Sequence, residues 1–220
     1  MKENRWRIGT VMKKIVCLLV LFALLLGCAG AEDMTAEKWE VKAGWTSYAL
    51  MLSQEGMDEV WEEGAKKFCE KFGGAAIMTG KMLREQTLAG YKVEDGVDEL
   101  KIKGSRFTGK KEDGTVLFDY KYSWVETIED KNILKGTRLH VFRTKDKGAG
   151  EYTFLLLTEP VKTKGDDASY VTFNLYNSAN KKYKDMFKKS KVELSAIPCA
   201  MIRTDTSEKG LRFAVMRMFN

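Results

Sequence analysis

Thr115-Val116-Leu117-Phe118-Asp119-Tyr120-Lys121-Tyr122-Ser123-Trp124-Val125-Glu126-Thr127 is the stretch that decides the fold class. Val116, Phe118, Tyr120, Tyr122 and Trp124 alternate with Leu117, Asp119, Lys121 and Ser123, the period of a strand with one aromatic face. Lys111-Glu112-Asp113-Gly114 just before it is a hairpin turn with a strong Asp-Gly signal, so Arg106–Lys110 is the partner strand. Working outward, Val97–Lys103, Asn132–Thr144, Tyr152–Thr158, Ser169–Tyr176 and Leu211–Met218 read as further strands, and Gly44–Leu50 as the segment that opens the sheet. Helical spacing of three and four marks Gly56–Phe72, stopped by Gly73-Gly74. Thr79–Leu88, closed by Gly90, and Asn180–Ser190 are two shorter helices. Two helices, an antiparallel meander and a late helix predict an α+β, mainly β chain dominated by a barrel or a strongly curled sheet. The aromatic face either lines an apolar cup for a small ligand or forms packed core, and a barrel of this size needs the core.

The chain has 220 residues, 44% apolar and 31% charged, with 19 Gly and 2 Pro, which suits one domain with a short appendage. Disorder, collagen-like repeats and a small disulfide scaffold are excluded by that composition. Val16–Leu26 is an unbroken apolar run behind Lys13-Lys14, too short to span a bilayer and typical of an export signal. Residues 1–27 are therefore read as a signal peptide, with Met12 as an alternative natural start. Leu25-Leu26-Gly27-Cys28 matches the lipobox of bacterial lipoproteins, in which cleavage before Cys28 precedes acylation of its thiol. Cleavage after Ala29-Gly30-Ala31 and an uncleaved anchor are the competing readings. All three put the domain outside the cytoplasm; residues 28–38 are read as a lipid-anchored tether and 39–220 as the domain, on the periplasmic side of a bacterial envelope. With a lipid anchor the membrane is a partner, the outer membrane if the cell is Gram-negative.

Removing Lys2, Arg5, Arg7, Lys13, Lys14 and Glu3 leaves 32 basic against 30 acidic residues, so the formal +6 falls to +2. That gives no general nucleic-acid footprint, and Lys181-Lys182 and Lys188-Lys189 read as solvated helix faces. Cys69 and Cys199 remain after processing, either as a disulfide, which an oxidising compartment permits, or as buried free thiols. His140 is the sole histidine. It rules out any zinc site of two or three histidines and reads as a structural residue of a strand. No nucleophile elbow, phosphate loop, Cys-x-x-Cys or calcium loop occurs, so no enzyme is expected.

Order and local wording together resemble the ZinT (YodA-like) family of secreted bacterial metal-binding proteins. The resemblance rests on Trp39-Glu40 with Gly44–Ser47, on Gly56–Trp61 with Ala65-Lys66-Lys67, and on Gly90-Tyr91 with Val97–Ile102. It continues through Phe118–Tyr122, Asn132–Leu134, Gly136–Arg138, Ser169–Tyr176 and Pro198–Leu211. It implies a lipocalin-like, calycin-type antiparallel β-barrel with two N-terminal helices and one late helix, acting as a binding protein. The family holds zinc mainly with histidines, two of them as His-x-His on a late strand. Here those positions are Thr172 and Asn174, flanking Phe173, and the third falls at Pro160 beside Glu159. Thr172 and Asn174 are expected side by side on one face, pointing to the barrel mouth. Neutral oxygens are poor zinc ligands, and Glu159 is the one remaining candidate metal ligand. Zinc or another divalent metal is thus expected to bind weakly, in an altered way, or no longer. The alternative is a small-ligand or protein-interaction lipoprotein with a calycin barrel and no metal.

Overall fold

Chain alternation carries straight through a corner. In the computed structural model, Val116–Lys121 and Ser123–Asp130 are two strands separated by Tyr122 alone. The first (β4) pairs with β3, Arg106–Lys110, and the second (β5) with β6, Thr137–Arg143. Tyr122 makes the corner: its N–H donates to Ser105 O at 2.8 Å and its hydroxyl to Tyr152 O at 2.6 Å. Gly114, at φ +84°, closes the expected β3–β4 turn. The described residues are 35–71, 77–91, 96–130, 137–187 and 199–219. The signal segment, Cys28, Gly73-Gly74, Asn132–Gly136, Lys188–Ser190 and Pro198 lie outside them.

The remaining strands are β1 (Trp45–Ser47), β2 (Glu99–Lys103), β7 (Phe154–Thr158), β8 (Val161–Lys164), β9 (Ser169–Ser178) and β10 (Cys199–Arg203). They hydrogen-bond in the order β4-β3-β2-β1-β10-β9-β7-β6-β5, every pair antiparallel, with β8 added to β9 outside this run. The two end strands are consecutive in the chain, so the sheet curls into a nearly closed barrel of nine strands. The expected lipocalin-like, mainly β architecture is what forms.

Helices α1 (Tyr48–Leu52), α2 (Asp58–Lys71) and α3 (Gly80–Ala89) follow β1. Asp58 and Glu59 lie in the first turn of α2, and Thr79 Oγ1 caps α3 by accepting from Met82 N. The segment Gly44–Leu50 therefore yields only a three-residue strand before turning helical. Leu211–Met218, expected as a strand, falls within and just after a helix, α4 (Glu208–Met216). Leu211, Phe213 and Val215 mimic a period of two, but Ser207 Oγ accepts from Gly210 N and nucleates a helix whose Leu211, Ala214 and Val215 are buried. The late helix is, among the described residues, a 3₁₀ stretch over Lys181–Phe187.

One contact identifies the inside of the barrel. Phe107 on β3 and Phe142 on β6 are six pairings apart in the sheet, yet their rings lie 5.3 Å apart. Register from these two places Trp45, Leu100, Ile102, Phe118, Tyr122, His140, Leu155, Leu157, Phe173 and Met201 on the same inner face, and all are buried. Gly109 leaves room for the Phe118 ring, which a Cβ there would meet at 2.3 Å. Trp39 enters the barrel as well, fully buried and edge-on to Phe142 at 5.6 Å. The aromatic face is thus mostly packed core: Phe118 and Tyr122 are buried, and Tyr120 and Trp124 half-buried. On the outer face, α1 to α4 pack over Ile202, and Tyr183 covers Leu139, Val141, Leu156 and Tyr176.

Candidate binding site at the barrel end

His140 sits on β6 opposite Thr127 of β5 and Leu157 of β7. Its neighbours Leu139 and Val141 face outward, so alternation sends its imidazole inward. Glu159 directly follows β7 on the parity of Leu157, which brings its carboxylate to the same side. Nε2 of His140 lies 3.4 Å from Glu159 Oε1, long for a hydrogen bond. Although His140 is only 1% exposed, Nε2 has no hydrogen-bond partner. Nδ1 contacts Thr127 Oγ1 at 3.0 Å, and the Trp39 ring packs against the imidazole at 5.2 Å. Trp39 is itself fixed by donating Nε1–H to Thr158 O at 2.8 Å.

Charge at this end is dominated by Lys38, whose Nζ lies 2.7 Å from Glu159 Oε1. The hydrogen bond from Lys38 holds the Glu159 carboxyl below its ordinary value against the opposing effect of burial, and the charges of Lys38, His140 and Arg138 add to it. His140 is pushed below its ordinary value, first by burial; Glu159 pulls it up, while Lys38 and Arg138 push it down. At neutral pH the pair is a neutral imidazole beside a carboxylate. An imidazole nitrogen and a carboxylate oxygen are zinc-type donors. Two donors with an ammonium competing for one of them suit a weak, exchangeable cation; a structural zinc needs more.

The other positions fall elsewhere. Thr172 and Asn174 do share one face of β9, two residues apart, but it is the outer face opposite Phe173 and not the mouth. They stand in rows with Ile202 and Ala200 of β10, and Thr172 pairs with Val161, the residue after Pro160. Asn174 N donates to Thr158 Oγ1 at 2.8 Å. Glu159 is therefore brought to His140, on the inner side, and not to Thr172 and Asn174. Among the described residues no group of three His, Cys, Asp or Glu side chains could hold a metal ion. Cys69 and Cys199 are free thiols. Cys199 is buried with Sγ 3.1 Å from Val97 O, and burial pushes its thiol up to about 12, so it stays protonated. Sequence reasoning took His140 as purely structural; what joins it to Glu159 is the β6–β7 register.

No family model and no curated protein matches the sequence. Solved structures match in fold. The Zn(II)-bound ZinT-like domain of Streptococcus pneumoniae AdcA superposes with a TM-score of 0.51 at 16% identity, covering 88% of this chain and 94% of that one. Zn(II)-bound AdcA from the same organism gives a TM-score of 0.51 at 16% identity over 87% of this chain. This chain spans only 36% of that longer protein. The barrel is thus a ZinT-like, calycin-type fold, as the sequence resemblance implies.

Proposed function

We propose that this chain is a lipid-anchored binding protein of the bacterial envelope, exported by residues 1–27 and acylated at Cys28. On its ZinT-like barrel a weak divalent-cation site of His140 and Glu159 replaces a three-histidine set. The observation that carries this reading is the buried, unpartnered Nε2 of His140, held 3.4 Å from the Glu159 carboxylate. A buried nitrogen without a partner costs roughly 1–3 kcal/mol, which a bound cation would recover. Thr127 at Nδ1 can fix the ring so that Nε2 presents its lone pair. Lys38 must release Glu159 when a cation enters, and this competition keeps affinity low.

Calorimetric titration with zinc tests the reading. Weak binding is expected for the unmodified protein, none for His140→Gln, and tighter binding for Lys38→Met, which removes the competitor. Tight stoichiometric zinc in the unmodified protein, or binding indifferent to His140, overturns it. The anchor is tested separately: a labelled fatty acid should mark the wild type and not Cys28→Ala. A second reading, an interaction lipoprotein with an external working surface, is favoured by the packed barrel interior. A cavity of about 340 Å³ lies outside the barrel, bounded by Leu50, Arg84, Leu88, Asp98 and Glu112.

A further inference from the structure

The outer face of β2, β3 and β4 collects cations in register. Strand β2 reads Glu99-Leu100-Lys101-Ile102-Lys103, and because Leu100 and Ile102 point into the barrel, Lys101 and Lys103 point out. Arg106, Thr108 and Lys110 of β3 and Asp119 and Lys121 of β4 share that face. Lys103, Arg106 and Lys121 stand directly opposite one another across the three strands, and Lys101 heads the adjacent row with Thr108 and Asp119. Like charges facing each other across a sheet destabilise it, so folding does not account for Lys103 and Lys121 on either side of Arg106. Two carboxylates share the face: Glu99 stands opposite Lys110, and Asp119 takes both hydrogen bonds of Arg106, at 2.7 and 2.6 Å, and one from Thr108 at 2.9 Å. No described residue forms an ion pair with Lys101, Lys103 or Lys121, and all three are exposed.

We propose that this face docks on anionic phospholipid headgroups, an inference that rests on the lipid-anchored reading above. Glu40 Oε2 accepts from Gly104 N at 2.9 Å in the turn joining β2 to β3, so the start of the domain is pinned at the end of the cationic row. Cys28 precedes Glu40 by twelve residues, a reach of at most about 40 Å. An acyl group there keeps the row close to the bilayer. The face is an open sheet surface whose Lys101, Lys103 and Lys121 are exposed, and a plane of ammonium groups matches a plane of phosphates. Each lysine near an anionic surface gains roughly fivefold in partitioning, so the three together give about a hundredfold, screened away by salt.

The test uses the mature protein isolated from its own envelope and reconstituted with vesicles of phosphatidylcholine, with or without phosphatidylglycerol. Amine-reactive labelling is followed at each lysine by mass spectrometry. Lys101, Lys103 and Lys121 should label about tenfold or more slowly on phosphatidylglycerol vesicles, with protection lost in high salt, while Lys162 and Lys209 stay unchanged. Lys101→Glu with Lys103→Glu and Lys121→Glu should abolish the phosphatidylglycerol dependence of labelling at Lys110, and the milder Lys→Gln set should weaken it. Equal labelling on both vesicle types overturns the proposal. Equal protection by soluble polyglutamate overturns the lipid assignment in favour of an acidic protein partner. Fatty-acid labelling of the same preparation separates the two ideas. An unacylated protein that still shows lysine-dependent protection keeps the face and loses the anchor; an acylated protein without such protection loses the face.

Discussion

If the barrel is a packed solid, Trp39 is the residue whose removal opens it. The indole is fully buried, edge-on to His140 at 5.2 Å and to Phe142 at 5.6 Å, and donates to Thr158 O at 2.8 Å. Trp39→Phe keeps most of the apolar bulk and loses the hydrogen bond, leaving a buried carbonyl without its donor, at a cost of about 1–3 kcal/mol. Trp39→Ala also removes the ring. Large-to-small changes at such sites cost about 3–5 kcal/mol, and the orphaned carbonyl adds to that. A domain stable by roughly 5–15 kcal/mol would survive the first change and be marginal after the second. Urea unfolding monitored by circular dichroism gives both values, the midpoint falling at nearly constant m if the native state stays closed. The alanine variant should also take up a small apolar molecule that the wild type refuses. A loss below about 1 kcal/mol for Trp39→Ala would place the indole outside the core and return the barrel to an open cup.

The remaining expectations are more local. Since His140 is the only histidine, its ring protons titrate alone in a proton NMR spectrum; the midpoint should lie below the ordinary 6.5, rise in Lys38→Met and fall further in Glu159→Gln. Because the folded value is depressed, the contribution of His140 to stability is present above pH 6.5 and is lost as pH falls from there through the lower folded value. Glu159, also depressed, adds a second loss below its ordinary 4.5, so unfolding free energy measured against pH should show both limbs and His140→Gln only the lower. Gly109→Ala should destabilise by about 1–3 kcal/mol in the same urea assay, because its methyl would meet the Phe118 ring.

Much of the fold was legible because its signals are local. Alternation from Val116 to Trp124 survives the corner at Tyr122, Asp113-Gly114 closes the hairpin, and Thr79 and Gly90 bound α3. What failed was ambiguous in period: Leu211, Phe213 and Val215 satisfy a strand, and only the Ser207 cap makes them helical. Strand β10 is short, and its Cys199-Ala200-Met201-Ile202 is apolar throughout because α1 to α4 cover its outer side while the barrel covers the inner. The site suffered from the same double coverage. Every residue of β7 is buried, and Leu139 and Val141 beside His140 are covered by Tyr183, so hydrophobicity could not say which way the imidazole points. Its partner Glu159 is nineteen residues away, and only the register Leu139 to Thr158 brings them together.

That double coverage also bears on where the protein can work. A lipocalin-like barrel offers its interior only if side chains leave it empty, and here Trp39, Trp45, Phe107, Phe118, Phe142 and Leu155 occupy it, each at most 2% exposed. Chemistry is pushed to the margins, where buried polarity meets solvent. Glu159 is such a margin: its side chain is 40% exposed while the His140 it faces is 1% exposed. A cation arriving from solvent meets Lys38 first, then the carboxylate, and last the buried nitrogen. Displacing Lys38 costs an ion pair that solvent already weakens, whereas Nε2 has no other partner to lose. The imidazole therefore supplies the binding, and the cost of entry lies at the ammonium. Lys38→Met should consequently change affinity for zinc more than any substitution at Thr172 or Asn174, which lie on the other face of the sheet.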